Sequence, residues 1–352
     1  MDVLKLRAPI VFLILCCAFI LSGCQISYYF KSAYNQIDLL NRRVPLEKAL
    51  KDPHLSDEEK RKLLLADKAH QFAQENMQLK TTNNYTSFVK LDRPYVTYVV
   101  SASPKWELKH HQWHFLFVGD MPYKGFFDEA DAIEEEQSLK EKNLDTYRRG
   151  VSAYSTLGWF NDPLLSSMLT YSDQDLVNTV IHETVHATLY IKNSADFNER
   201  MAVFLGNKGA ELFYEKEEGQ DSKTKQQIEL ENEDDRLFSK FISREIKALE
   251  EWYKTQPGQT EGLRQDRLKQ IQTHFTVELA PFLKTKSHSQ FAKIELNNAR
   301  LMLYKTYLQD LSDFEALYKK VRGNIAEFLR YCRQLEKHPH PEQGLKELIS
   351  AQ

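Results

Sequence analysis

The sequence is poor in cysteine, with four among its 352 residues. Cys16, Cys17 and Cys24 lie in an N-terminal segment that is expected to be removed or modified, which leaves Cys332 in the body of the chain. A single thiol cannot form an internal disulfide, so the sequence excludes a disulfide-stabilised fold. Cys332 has no local nucleophile context and is predicted to be an inert thiol.

Several functional signatures are also missing. Basic residues are not in excess, since the net charge is −3 and the isoelectric point about 6.4. This balance excludes a broad cationic surface for nucleic acid. There is no glycine-rich phosphate loop, and Ser155 and Ser166 lack the glycines of a nucleophile elbow. Internal repeats and low-complexity segments are absent too.

The N-terminus has the pattern of an export signal. Lys5 and Arg7 precede the uncharged apolar run APIVFLILCCAFIL, which closes with LSGC. The run is short for a membrane span, which needs about 20 apolar residues, and it predicts a signal peptide over residues 1–23. LSGC resembles a bacterial lipobox, which implies cleavage before Cys24 and lipidation of its thiol. An uncleaved anchor or an ordinary signal peptide is the alternative. Gln25 favours the outer membrane, with the body facing the periplasm.

Apolar periodicity predicts helix, strand and loop in turn along the first half of the body. Residues 25–80 have apolar positions at helical spacing, whereas residues 85–118 are rich in the β-branched and aromatic residues typical of strands. The glycines and proline of residues 118–128 predict a turn or loop. The chain is predicted to return to helix over residues 127–145. The aromatic stretch at residues 153–169 is predicted to be a loop that enters a short helix.

The second half of the chain is predicted to be helical. DQDLVNTVIHETVHATLYIK has an apolar side, with Asp173 or Asp175 near its start, and NERMAVFLGNKGAELFYE forms a second helix. Mixed charges from residue 214 onward predict a solvated face or exposed loop. A later amphipathic helix places six residues on a stripe that is predicted to pack in the core: Leu237, Phe241, Ile242, Ile246, Leu249 and Trp252.

The stretch NTVIHETVHATLY, residues 178–190, has the spacing of a metal site. Helix positions four apart lie about 40° apart on one face, so His182 and His186 can reach one ion at about 2.0–2.1 Å. Glu183 lies one step round the helix, where it can contact a water bound to that ion. The surrounding residues are apolar, and burying these three is costly unless they bind something. Satisfied core histidines are the alternative interpretation.

A catalytic zinc takes three protein ligands and leaves a fourth position open. No histidine follows His186 until His274, and the nearby carboxylates are Asp196 and Glu199. The chain between His186 and Glu199 is long enough for a last helical turn, a loop and a return. Glu199 at the start of the next helix is therefore the predicted third ligand, with Asp196 as its rival. This set implies one Zn²⁺ per chain.

Several further stretches, in order along the chain, resemble a bacterial family of predicted zinc aminopeptidases. They are GCQISYYFKSAYNQIDLL, VVSASPKWEL, HFLFVGDMPYKGFFD, AYSTLGWFNDPLLSSML, VIHETVHATLY, FNERMAVFLGNKGA and NNARLMLYKTY. The resemblance runs from Cys24 to about residue 335. It implies a lipoprotein with a gluzincin-like zinc site, and it marks FNE as the segment of the third ligand, in agreement with Glu199.

The resemblance places a tyrosine in NNARLMLYKTY, which implies Tyr307 as the donor to the oxyanion. Tyr154 and Tyr123 are its rivals, and the loop segments that contain them are predicted to form substrate walls. Asn298 and Arg300 are predicted to bind a substrate terminus. Three carboxylates remain open as partners of a free amino terminus: Glu129, Asp131 and Asp162.

These features predict an α+β fold that is predominantly α, with a zincin-like catalytic body, a small β-sheet from residues 85–118 and a helical C-terminal half. The two ligand helices are expected to pack against the sheet. The predicted segments are the signal peptide 1–23, an N-terminal helical segment 24–84, a catalytic core 85–212, a helical C-terminal part 213–340 and a tail 341–352.

The predicted function is that of a membrane-anchored zinc metallopeptidase, and the resemblance implies an aminopeptidase. Zn²⁺ would lower the pKa of its water and polarise the scissile carbonyl, and Glu183 would pass the water's proton to the leaving amine. The expected partners are a peptide substrate and, through the N-terminal lipid, a membrane. The alternative is a non-catalytic metal-containing envelope lipoprotein that acts as a binding or assembly factor, with a protein side chain in the fourth metal position.

Overall fold

The computed structural model describes residues 26–115, 119–153, 156, 160–255, 258, 260–307 and 310–350. The chain forms two compact units, Met1–Val44 and Pro45–Gln352. Helices contain 62% of the residues and strands 11%, which confirms the predicted α+β fold dominated by helix. Within the described ranges, no helix combines the length and the apolar composition needed to cross a bilayer.

The regular elements are named in chain order. The helices are α1 (26–41), α2 (Leu46–Ala49), α3 (Asp57–Glu75), α4 (Glu129–Glu141), α5 (Asp173–Thr188), α6 (Ala195–Glu218), α7 (Lys223–Thr255), α8 (Glu261–His274), α9 (Asn298–Tyr307), α10 (Ser312–Lys320), α11 (Ile325–Gln334) and α12 (Pro341–Ser350). The strands are β1 (Val44–Pro45), β2 (Ser87–Val89), β3 (Thr97–Pro104), β4 (Trp113–Phe115), β5 (Gly119–Met121), β6 (Tyr123–Phe126), β7 (Leu144–Val151) and β8 (Leu164–Leu165).

The larger sheet is antiparallel, with the strand order β6–β3–β7. Its central strand β3 is buried at every position except its two ends. In the register of this sheet, Val100 lies between Lys124 of β6 and Arg148 of β7. β4 and β5 form a separate antiparallel hairpin, and β2 pairs in parallel with β8, with Phe88 opposite Leu164.

Two of the local predictions near this sheet are wrong. The predicted loop at 118–128 contains β5 and β6, and β7 begins at Leu144, inside the predicted helix at 127–145. These strands contain glycine and charged residues and have little strand propensity of their own. β6 and β7 form because the buried strand β3, which lies earlier in the sequence, completes their hydrogen bonds, whereas β5 pairs with the neighbouring β4. Periodicity within one stretch does not reveal such pairing.

The helices that carry the predicted ligands do not pack mainly on this sheet, so that expectation is also wrong. The sheet is covered by α4 and α9, whereas α5 and α6 pack on each other and on α3. Glycines allow α6 to approach α5 closely: a Cβ at Gly209 would lie 2.8 Å from a methyl carbon of Ile181. The apolar sides of the two helices are therefore buried against each other.

The predicted stripe on α7 is confirmed. Phe241, Ile242, Ile246 and Leu249 are buried in one cluster, and Leu237 and Trp252 are half-buried and pack against it. Residues of α8, of α9 and of the segment between them complete the cluster, including Leu268, Phe275, Phe291 and Leu301. This second core makes the C-terminal part of the larger unit a helical bundle.

A buried histidine of α3 is expected to make the stability of the fold depend on pH. His70 is 3% exposed, and its Nε2 lies 2.6 Å from the amide nitrogen of Gln74. Burial lowers the pKa of His70 to about 4, whereas an unfolded histidine titrates near about 6.5. Between these pH values the unfolded chain binds more protons. The free energy of unfolding should therefore fall as the pH decreases through this window, by about 3 kcal/mol in all.

Urea unfolding at a series of pH values measures this effect. The His70→Gln variant should lose that part of the slope between pH 6.5 and 4, because glutamine does not titrate. His54→Gln changes an exposed histidine and is the matched control, which should keep the wild-type slope. Equal slopes for the wild type and His70→Gln would show that burial of His70 is not the cause.

Candidate metal centre

Helix α5 presents both histidines from one face. Its N-terminus is capped by Ser172, whose Oγ accepts the N–H of Asp175 at 3.1 Å, and the helix continues to Thr188. His182 and His186 therefore lie one turn apart near its C-terminal end. The rotation of the helix is set by fully buried apolar residues on its other side, Leu176, Val177, Val180, Ile181 and Val185.

The link between α5 and α6 is closed by Asn198, a residue to which no sequence motif assigned a role. Its side chain is fully buried. Oδ1 accepts the N–H of Ile191 at 2.8 Å, and Nδ2 donates to the Ile191 carbonyl at 2.7 Å. The amide thus pairs with the loop backbone and fixes the first turn of α6. Glu199 follows directly and is held facing α5.

Replacing Asn198 by alanine is expected to destabilise the protein by about 2–6 kcal/mol, because two buried backbone groups each lose a partner at a cost of about 1–3 kcal/mol. Chemical unfolding measures the loss. Asn207→Ala, two turns further along α6, removes one partly buried hydrogen bond to Asn178 and should cost less. Similar losses for both variants would contradict a special role for the Asn198 clamp.

Arg200, on the far side of Glu199, attaches α6 to the C-terminal helices. Its guanidinium is buried, donates to the carbonyl of Asp310 at 2.6 Å and pairs with Asp313 at 2.5 Å and with Glu342. Glu342 belongs to α12, so residues assigned to a tail in the sequence form a helix that takes part in this attachment. Glu199 is therefore held between two buried polar anchors.

Three ligand atoms converge between the two helices. The Nε2 atoms of His182 and His186 are 3.1 Å apart, and Oε2 of Glu199 lies 3.5 Å and 3.7 Å from them. A tetrahedral ion with ligands at about 2.0–2.1 Å holds ligand atoms about 3.3–3.4 Å apart. The donor set therefore fits one divalent cation without rearrangement, and Asp196 is not part of it.

The surroundings of this centre shift the pKa values of its two glutamates in opposite directions. Burial raises the pKa of Glu199, but hydrogen bonds and positive charge from His182 and His186 outweigh burial and hold that pKa well below its usual range. Burial raises the pKa of Glu183 to about 7; the charge of His182 opposes this rise, and the charges of Glu199 and Asp162 add to it. Glu199 is therefore a permanent carboxylate, whereas Glu183 can exchange a proton near neutral pH.

Other side chains are brought close to Glu183 from distant parts of the chain. Burial raises the pKa values of two tyrosines, Tyr85 and Tyr171, and the negative charge of Glu183 adds to this rise. Asp162 is the carboxylate that the fold brings near Glu183, whereas Glu129 is paired with Arg148. No local motif pointed to Tyr85, because its position depends on contacts with residues far along the chain.

Three of the predicted residues cannot be placed at the centre. Cys24 and Tyr154 lie outside the described residues, and so does the side chain of Tyr307, although its backbone ends α9. Tyr123 lies in β6 opposite Ser101 of β3, in a strand rather than a loop. The roles of these four residues remain predictions.

The structure gives Asn298 a different role from the predicted one. It is fully buried, accepts the hydroxyl of Tyr253 at 2.8 Å and donates to the carbonyl of Pro104 at 2.8 Å. Its amide is thus used to join α9 to the sheet and not to hold a substrate terminus. The guanidinium of Arg300 lies 4.4 Å over the ring of Tyr147. It lines a polar cleft of about 470 Å³ whose walls include none of the three converging ligands.

The fold and the centre together define a helical α+β protein with a candidate two-histidine, one-glutamate metal site. The chain belongs to the family described as "Putative aminopeptidase", whose family model matches residues 27–346. This match covers most of the chain and confirms the aminopeptidase part of the predicted family, whereas its zinc, gluzincin and lipoprotein features stay predictions. The comparisons with curated proteins and with solved structures gave no match.

Proposed function

We propose that this chain is a zinc metallopeptidase of the aminopeptidase kind. The observation that carries the proposal is the convergence of His182, His186 and Glu199, with the carboxylate of Glu183 beside them. Two imidazoles and one carboxylate form the ligand set of catalytic zinc sites that keep an open position. Membership of the family supports a peptide as the substrate.

Three residues of the site would bind the metal, and a fourth would transfer the proton. His182, His186 and Glu199 would hold the ion, and bound zinc supplies a water activated near neutral pH and polarises the scissile carbonyl. Glu183 makes no hydrogen bond to a described side chain, so its carboxylate is available to the attacking water. It takes the proton of that water and transfers it to the leaving amine. The buried setting of the centre strengthens each of these electrostatic interactions.

Digestion of a mixed peptide library tests this function. The protein, purified without added metal, should contain about one zinc per chain and cleave peptides, and a chelator should abolish cleavage. Products that lack single N-terminal residues identify an aminopeptidase, whereas internal cleavage identifies an endopeptidase. Stoichiometric metal without cleavage of any peptide would instead favour a binding or assembly factor.

We also propose that the chain is lipid-anchored in the bacterial envelope, at the outer membrane facing the periplasm. LSGC ends at Cys24, and the described part of α1 covers residues 26–41. One face of α1 exposes four large apolar residues, which are Ile26 at 45%, Phe30 at 75%, Tyr34 at 72% and Ile37 at 57%. Their spacing puts them on one side of the helix, and such a face beside a lipid anchor suits a membrane surface.

Labelling with a photoactivatable phospholipid in membranes of the producing cell tests the anchoring. Labelled peptides should come from α1 in the full chain. Val277 and Phe282, 68% and 70% exposed in the C-terminal part, are internal controls that should remain unlabelled. Recovery of the chain in the soluble fraction would contradict the anchor. A membrane-bound chain without label on α1 would contradict the contact of this face with lipid.

A further inference from the structure

A cavity of about 720 Å³ is lined by residues of α6, α7 and α10, and a volume of about 300–1,000 Å³ is usual for a ligand site. Its wall on α6 includes Val203, which lies one helical turn, or about 6 Å, beyond Glu199. The cavity is also lined by Asp310, whose carbonyl accepts a hydrogen bond at 2.6 Å from Arg200, the neighbour of Glu199. The cavity therefore adjoins the part of α6 that carries the third ligand.

The walls of the cavity combine an apolar patch with an excess of negative charge. The apolar lining residues are Val203, Phe204, Leu311 and Ala316. Carboxylates outnumber cations on the walls by six to four. Three of the four cations are already paired with carboxylates of the same walls: Lys208 with Glu211, Arg236 with Glu233 and Lys319 with Glu315. The walls therefore attract a cationic ligand.

A buried hydroxyl on the α7 wall has no partner in the fold. Ser239 lines the cavity and is 5% exposed, and within the described ranges its Oγ has no hydrogen-bond partner. A serine or threonine inside a helix can donate to the carbonyl four residues earlier, as Thr184 does to Val180 at 2.7 Å. Ser239 does not. A buried polar group without a partner is rare and calls for an explanation, and a ligand in the cavity would supply the partner.

These features together suit a peptide segment with basic side chains. The ammonium or guanidinium groups would face the carboxylates of the walls, and the methylene stems of lysine or arginine pack well on apolar surface. The hydroxyl of Ser239 can bond to a peptide group, since it is both a donor and an acceptor.

We propose that this cavity is a second peptide-binding site, which holds a basic segment of the substrate beyond the residues next to the cleaved bond. An extended peptide spans about 3.3–3.6 Å per residue. The distance of about 6 Å along α6 from Glu199 to Val203 therefore corresponds to about two residues of substrate. The inference rests on the proposed function and adds to it a preference for basic peptides.

Hydrolysis of two matched peptides tests the inference. Both have the same N-terminal residues, and one carries a Lys-Arg pair further along the chain where the other carries Gln-Gln. The basic peptide should have a KM about 10-fold lower, since each exposed charge pair contributes up to about tenfold in affinity. Its kcat should be the same, because contacts remote from the cleaved bond are equal in the ground state and the transition state.

The double variant Glu229→Gln/Glu233→Gln should remove this difference by raising KM for the basic peptide. Both residues line the cavity from α7. Glu251→Gln/Glu336→Gln is the matched control: it removes the same charge from two exposed residues outside the cavity walls, one of them also on α7. The control should keep the preference. Equal loss of the preference in both variants would show an effect of net charge alone and would overturn the inference.

Ser239→Ala tests the hydroxyl separately. It should raise KM for both peptides by about 2–10-fold, the scale of one hydrogen bond. Its urea unfolding midpoint should not fall, because the hydroxyl makes no bond within the described fold. A lower midpoint with unchanged KM would show that the hydroxyl is structural and would contradict its role in the cavity.

Calorimetry with the basic peptide separates this inference from the proposed function. The Glu183→Gln variant, which should not consume the peptide, is expected to bind it about 10-fold more tightly than the Gln-Gln peptide. Hydrolysis by the wild type with equal KM for both peptides would overturn the inference alone. Tight binding of the basic peptide by a wild type that cleaves no peptide would overturn the proposed function and leave the cavity as a peptide-binding site.

Discussion

The Glu183→Gln variant is expected to bind zinc as the wild type does and to hydrolyse peptides about 10²–10⁴-fold more slowly, the range attributed to general acid–base catalysis. Glutamine has nearly the same size but cannot accept the proton of the attacking water. Glu183 is not one of the three converging ligands, so the metal should remain. Metal analysis and the initial rate on one library-derived peptide, measured on the same preparation, provide the two readouts.

Asp173→Asn is the matched control for this prediction. Asp173 lies on the same helix, and its carboxylate pairs with Arg61 at 2.7 Å, far from the two histidines along α5. Its loss is a change in a surface ion pair, worth about 0–1 kcal/mol, and should leave the rate nearly unchanged. Full activity of the Glu183→Gln variant would show that Glu183 is not the general base. Loss of zinc from this variant would show that Glu183 acts as a metal ligand.

The second large effect is expected at Glu199. Glu199→Gln should weaken zinc binding by more than about 100-fold, because even changes to residues behind the ligands cost about 10–100-fold. The amide has no negative charge and is a poor partner for the ion between two imidazoles. Titration with a competing chelator measures the zinc affinity, and hydrolysis should fall in parallel at limiting metal.

The carboxylate at Asp196 supplies the control, because it was the rival third ligand. Asp196 is exposed and lies outside the converging set, so Asp196→Asn should keep the wild-type zinc affinity. If Asp196→Asn loses zinc and Glu199→Gln retains it, the ligand assignment is reversed. Equal affinity in both variants would mean that the two histidines act with some other third group.

The helical parts of the site could be predicted because their signals are local. The apolar side of α5 and the spacing of its histidines repeat every three to four residues, and such periodicity reflects burial of one helix face. The stripe on α7 followed from the same argument. Glu199 was predicted from the length of the chain between the helices. In the structure its Oε2 lies 3.5 Å from Nε2 of His182 and 3.7 Å from Nε2 of His186.

The strands were predicted less well. β6 and β7 depend on pairing with β3, and neither their glycines nor their charged residues indicate this pairing. The same limit applies to Asn298, which appeared suited to bind a substrate. Its amide is used within the fold because the carbonyl of Pro104 and the hydroxyl of Tyr253 converge on it from other elements.

The sequence by itself determined the chemistry available here: two histidines and a glutamate on one helix, a second glutamate downstream and an apolar run before Cys24. Tertiary structure alone decided which groups surround them. The Asn198 clamp directs Glu199 toward α5, and a hydrogen bond from the N–H of Tyr85 to the carbonyl of Asp162 joins two segments that are distant in the sequence. The physical reason is that helical periodicity acts over neighbouring residues, whereas these contacts join segments that only the packed chain brings together.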